Sequence, residues 1–256
     1  MTDFSKYTDG ILSALRNNSR DQEVINKKQD ILNSIYEFYN LVPESILFVG
    51  FNPAIIGTRS SRLYVTELSQ TALDYLDHLG VDYVHVNEND LSKFHKKFDV
   101  VVAADEYFTF ADSDQSQIDT VKKICNLARE FVVSTLRDYK NQDYKDREFS
   151  IPAVARAGSG SSVYTEFHDW SPASKSQWKS RLYEINNSTN ALITYGPFAR
   201  HTMYFKQLAK FSMDSGATDF VVHKNLMYKS VVKKNYEHVI SIRFEDQWTY
   251  QNNSNQ

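Results

Sequence analysis

The stretch ILFVGFNPAIIG, residues 46–57, opens with a short apolar run and ends in turn residues. Ile46, Leu47, Phe48 and Val49 read as a strand covered on both faces, because a strand with one wet face alternates apolar and polar residues instead. Gly50, Asn52 and Pro53 interrupt the run and predict a strand-to-helix corner. From Arg62 to Leu79, apolar or aromatic side chains at 64, 65, 68, 72, 75, 76 and 79 form a helical stripe that stops at Gly80. A second strand is predicted over Val81–Val86, within VDYVHVNEND (81–90), and a third over Asp99–Ala104, within FDVVVAADEYFTF (98–110). Strand, helix and strand in this order make a βαβ unit with a right-handed crossover. In open sheets of this kind ligands gather where strands end, because the turns there present free N–H groups and polar side chains.

Working outward, residues 1–44 carry apolar positions at helical spacing, Ile11, Leu12 and Leu15, then Ile31, Ile35, Phe38 and Tyr39, and predict an N-terminal extension of two helices that pack on the sheet. Gln115–Arg129 reads as a helix and Glu130–Leu136 as a fourth strand. Over 137–190 the pattern weakens and serines and glycines mix with Tyr164, Phe167, Trp170, Trp178 and Tyr183, near Arg156 and Arg181. This stretch is expected to be a cap inserted within an α/β domain of residues 45–250, its rings packing a small core of their own. Beyond it, Ala191–Tyr195 predicts a strand, His201–Ser215 a helix ended by Gly216, Asp219–Val222 a strand, and Tyr236–Phe244 an antiparallel closing strand. The tail QNNSNQ reads as disordered.

The chain of 256 residues is 41% hydrophobic and carries a formal net charge of −3. That charge offers no global attraction to nucleic acid or to an acidic membrane surface, so a polyanion would need a local patch. Cys125 is the sole cysteine; no intrachain disulfide is possible, which fits a reducing, cytoplasmic setting. The start MTDFSKYTDG lacks the pattern of a secretory signal and no apolar run is long enough to span a membrane, so a soluble protein is expected. The seven histidines show no HxxxH or paired Cys/His spacing, and no metal site is expected.

The order of elements resembles that of the class I S-adenosylmethionine-dependent methyltransferases. The segment KFDVVVAADEYFTFADSDQSQIDTVKKICNLAREFVVSTL looks like their fourth strand, fourth helix and fifth strand, and SGATDFVV with the final VISIRF looks like their last helix and terminal hairpin. The resemblance covers roughly 45–136 and 200–245. It implies a Rossmann-like α/β fold, mostly parallel with an antiparallel terminal strand and flanked by helices, and S-adenosylmethionine as cofactor. The first motif departs from the family: Gly50, Phe51, Asn52 and Pro53 stand where an acidic residue and further glycines are usual. Those four residues would approach the methionine part. Glu88, with Asn87 as substitute, would accept the ribose hydroxyls at the end of the strand 81–86, and Asp90 and Leu91 would border the adenine. Asp105, Glu106 and Tyr107 would face the substrate, orient an amine and take its proton, and Arg137 and Asp138 would join them from the next strand. Asp112 reads as a helix cap. Methyl transfer needs mainly alignment, so no marked catalytic triad is required.

Two other readings belong beside this one. The degraded glycine turn suits a methyltransferase-like protein without catalysis, acting as a binding or structural module. VGFNP also resembles the G-x-N-P turn of mismatch-specific uracil-DNA glycosylases, in which an asparagine positions a water; no second loop of that family is visible. The methyl acceptor and the oligomeric state are not legible.

Overall fold

Helix α1 (Asp3–Arg16) and helix α2 (Asp21–Tyr39) open the chain in the computed structural model, which describes residues 3–17, 20–58, 62–139, 147–157, 160–171, 174–232 and 236–245. Strand β1 (Ser45–Val49), the short helix α3 (Ala54–Gly57), β2 (Arg62–Thr66), α4 (Gln70–His78), β3 (Val84–His85), β4 (Phe98–Ala103), α5 (Asp114–Leu127) and β5 (Ala128–Leu136) follow. Then come five strands, β6 (Arg147–Phe149), β7 (Ala153–Ala157), β8 (Gly160–Ser171), β9 (Ser174–Asn186) and β10 (Ala191–His201). Helix α6 (Phe205–Met213) leads to the closing hairpin, β11 (Asp219–Lys229) and β12 (Tyr236–Arg243). The tail QNNSNQ lies outside the described residues.

The main sheet has seven strands in the order β11-β12-β5-β4-β1-β2-β3. Strands β1 to β5 run parallel, and β12 is antiparallel to both of its neighbours. The continuous apolar runs explain the centre: every residue of β4 is buried, as are Ile46 to Val49 of β1, because helices cover both faces. Local signals set the helix ends. Ser69 caps α4 by accepting from the Ala72 N–H, Ser113 and Ser116 form a capping box on α5, and Gly80 at φ +67° ends the α4 turn. Asp112 is not the cap; its carboxylate accepts from the Ser113 hydroxyl.

One expected element changes type. Residues 62–66 form a strand paired with β1 (Ile46 to Leu63, Phe48 to Val65), and the helix starts only at Gln70. Tyr64 and Val65 stand four and three residues before Leu68 and so extended the helical stripe by coincidence. Their alternation, with Leu63 and Val65 buried and Arg62 exposed, is that of a strand. Of the segment 81–86 only Val84 and His85 pair, at the edge of the sheet, and both are exposed. The segment is therefore the third strand, not the second.

The inserted cap is an antiparallel sheet ordered β10-β9-β8-β6, with β7 also pairing β8. Ala191–Tyr195 belongs to this sheet and not to the main one, as part of β10. The rings do pack inward: Trp170 and Trp178 lie 4.4 Å apart and both are buried. Phe167 and Tyr183 instead fall on the other face, half-buried.

Helix α1 links the two sheets. A Cβ on Gly10 would collide with Leu182 of β9, so the missing side chain allows the helix to seat on the cap. At its other end Phe4 lies against Gly50.

Candidate functional site

The carboxyl ends of β1, β2, β4 and β5 converge on one polar rim beneath the inserted sheet. Gly50, at φ +73°, turns the chain out of β1 and presents bare backbone; a Cβ there would strike the Phe4 ring. Asn52 is buried. Its Oδ1 accepts from the Ala54 N–H at 3.0 Å, starting α3, and its Nδ2 donates to the Tyr228 hydroxyl at 2.6 Å. Phe51 points into the core, edge-on to Tyr75, and Pro53 stands at the start of α3.

Because β2 ends at Thr66, the acid at the end of the second strand is Glu67, which sequence reading missed. It is buried, at φ +55°. Tyr107 donates to its Oε1 at 2.9 Å, and Lys123 approaches the same oxygen at 3.4 Å. Burial, with the Glu67 charge adding to it, holds the Tyr107 phenol well above its ordinary pKa, so it remains a donor. The Thr66 hydroxyl beside it is buried without a hydrogen-bond partner among the described residues. Glu88 is half-buried one strand further out, Asn87 is exposed and caps the following turn through Asn89, and Asp90 pairs with Lys93 at 2.6 Å. Leu91 is buried. A cavity of about 330 Å³ opens here, lined by Glu88, Leu91, His95, Lys123 and Asn126.

After β4, Asp105 (φ +55°) and Glu106 (φ +58°) are both left-handed, a costly conformation for residues with a Cβ, and one that turns both carboxylates inward. Asp105 accepts from the Tyr228 hydroxyl at 2.9 Å. Glu106 accepts from Arg137 Nε at 2.8 Å and from the Tyr139 hydroxyl at 2.6 Å. Arg200 of β10 lies 3.7 Å from Glu106 and 3.5 Å from Glu166 of β8, with the Phe110 ring 3.8 Å from its guanidinium carbon. Burial opposes the Arg200 charge, but Glu166 and Glu106 more than offset it and its pKa is raised. Two of its donors, Nε and Nη1, have no partner among the described residues. Asp138 is exposed just after β5.

Lys28 of α2 is buried with its ammonium 3.0 Å from the centre of the Tyr228 ring, and it donates to the Lys229 carbonyl. Burial lowers its pKa to about 8, against the pull of Asp105 and Glu237. Below pH 8 it is charged in both folded and unfolded chains. Between about 8 and the ordinary 10.5 the folded protein has released the proton and the unfolded chain still holds it, so stability rises with pH across that window. The expected gain in urea stability between pH 8 and 10 is at most about 3 kcal/mol, and it should vanish in Lys28→Met. An equal gain in the variant would assign the effect to other groups.

In this structure the crevice is occupied by the chain itself. Phe4 sits over Gly50, edge-on to Tyr107 at 4.7 Å and to Phe110 at 4.9 Å. The space among Lys28, Asn52 and Tyr228 is about 10 Å³, no more than one water requires. On the Leu91 side the cavity stays open.

No family model matches the chain, and no curated protein does. Solved structures do. Streptomyces venezuelae DesVI superposes with a TM-score of 0.62 over 88% of this chain and 94% of its own, at 12% identity. An amino pentose methyltransferase, CalS10 from Micromonospora echinaspora, gives 0.60 over 91% and 96%, at 12% identity. A methyltransferase dependent on S-adenosylmethionine from Clostridium acetobutylicum gives 0.60 over 86% and 91%, at 11% identity. The fold is that of a Rossmann-like methyltransferase. Among the described residues no helix is long and apolar enough to cross a membrane.

Proposed function

We propose that this chain is an S-adenosylmethionine-dependent methyltransferase acting on a small polar acceptor, with α1 as a lid that leaves the crevice when the cofactor enters. The observation that carries this reading is the convergence of Gly50, Glu67, Leu91 and Asp105 on one rim, at the ends of successive parallel strands. Two features support a fit for the group once Phe4 has left: the bare backbone of Gly50, which the Phe4 ring covers here, and the buried Thr66 hydroxyl beside Glu67. Gly50 and Asn52 would hold the methionine part, Glu67 in place of Glu88 the ribose hydroxyls, and Asp90 with Leu91 the adenine beside the open cavity. When bound, the cofactor supplies an electrophilic methyl group on sulfur. The chain's own residues do the rest. Asp105 takes the proton of an amine nucleophile at Oδ2 after Tyr228 yields that oxygen, while Glu106 and the spare donors of Arg200 orient the acceptor's polar groups. Tyr107 serves by holding Glu67. The likeness in fold to an amino pentose methyltransferase and to a sugar N-methyltransferase supports a small-molecule acceptor.

A second reading, a methyltransferase-like binding or structural protein, is favoured by the Phe4 ring lying where the glycine turn would meet its ligand. Asn52 is engaged at both ends of its amide, by the Tyr228 hydroxyl and the Ala54 N–H, which disfavours a glycosylase-type water there. Calorimetric titration with S-adenosylmethionine separates the first two. Binding to the parent chain that weakens at least tenfold in Glu67→Ala is the expected result, since a ribose-binding carboxylate is worth about 1.5–3 kcal/mol. Binding to neither chain would favour the non-catalytic module.

A further inference from the structure

The inserted sheet has an outer face that nothing in the described chain covers. Strand register assigns it, since residues directly opposite each other share a face. Phe149, Phe167 and Arg181 form one cross-strand row. Arg147, Asp169 and Lys179 form the next row, and Val154, Val163, Ile185 and Leu192 another. The inner face carries the buried Trp170, Trp178, Glu166 and Arg200, so the two faces differ sharply.

The composition of the outer face is unusual for this chain. Four basic side chains, Arg147, Arg156, Lys179 and Arg181, stand against one acid, Asp169, in a protein whose formal net charge is −3. Among these charges lie an exposed ring, Phe149 at 65% exposure, its half-buried neighbour Phe167 at 4.9 Å, and the exposed aliphatic row ending in Leu192. We propose that the outer face of the inserted sheet binds single-stranded nucleic acid, its bases stacking on Phe149 and Phe167 and its phosphates meeting Arg147, Arg156, Lys179 and Arg181. A flat open sheet offering rings between cations suits unpaired bases, whose faces are exposed and whose backbone is anionic. A second copy of the chain fits worse, because a two-fold axis through this face would bring like charges together. The negative balance of the whole chain confines attraction to this patch.

The test is fluorescence anisotropy with labelled oligouridylate and oligothymidylate of about 12 nucleotides, a length within the usual site size. Expected are a Kd below about 10 µM at low salt, a steep loss of affinity with added salt, and at least tenfold weaker binding in Phe149→Ala and in the pair Arg156→Glu, Lys179→Glu. These positions are exposed, so the variants should fold, which circular dichroism checks. Tighter binding of the RNA would place the 2′-hydroxyl among the contacts, and equal binding would define a generic single-strand site. The proposal is overturned by absence of binding to either oligonucleotide, or by binding that heparin matches and Phe149→Ala leaves unchanged. A dimer in sedimentation that Phe149→Asp dissolves would overturn it too, in favour of self-association.

Discussion

Replacing Arg200 with alanine should cost about 3–5 kcal/mol, enough to remove much of the stability of an ordinary domain. The guanidinium is fully buried between Glu106 and Glu166, and its loss takes a buried counter-charge from both, leaving Glu106 with Arg137 and Tyr139 and Glu166 without its arginine. The Phe110 ring also loses its cation. Thermal unfolding should fall by about 10 °C for a chain of this size. The variant Arg200→Met with Glu166→Gln should recover a good part of the loss, because the penalty lies in the unpaired charge and not in the lost attraction. Equal stability of the two variants would mean that Glu166 is satisfied by other partners. The cluster ties the inserted sheet to the main one, as Arg200 and Glu166 belong to the former and Glu106 and Arg137 to the latter.

Much of this architecture was legible in the residues, and the reason is physical. Strands β1 and β4 are covered on both faces, so Ile46–Val49 and Val100–Ala103 read as unbroken apolar runs that no helical stripe imitates, while β5 shows only the shorter run Phe131–Val133. The last strand, with HVISIRF at its core, and the Gly80 and Gly216 stops were legible for similar reasons. Strand β2 was not, because five residues with Tyr64 and Val65 in phase with Leu68 are too short to show their own period. That error put the acid following the second strand at Glu88 when it is Glu67. The inserted sheet was harder still: its alternation is broken by buried polar residues, Glu166, His168, Ser180 and Glu184, which face inward, Glu166 toward Arg200 and Glu184 toward Ser13 and Asn17 of the first helix. Those partners carry no local signal. Tyr228 reaches Asp105 across 123 positions of sequence, and Arg200 and Lys28 join the rim from distant elements.

Phe4→Ala should act in opposite directions on folding and on binding. Phe4 is buried against Gly50, Tyr107 and Phe110, and its truncation should cost about 3–5 kcal/mol, most of it through the cavity left behind. That cavity lies at the glycine turn where the methionine part of the cofactor would rest. Emptying it raises the population of the open crevice, and the apparent affinity for S-adenosylhomocysteine should rise at least tenfold. A variant that is merely loosened would bind less tightly, so a gain in affinity beside a loss in stability singles out competition between ring and ligand.

Amide hydrogen exchange with and without saturating S-adenosylhomocysteine tests the lid most directly. If α1 vacates the crevice for the cofactor, the amides of residues 3–16 exchange faster in the complex while those around Gly50 to Asn52 slow down. Protection of α1 that ligand leaves unchanged, with no slowing at the glycine turn, would contradict a cofactor site beneath this helix.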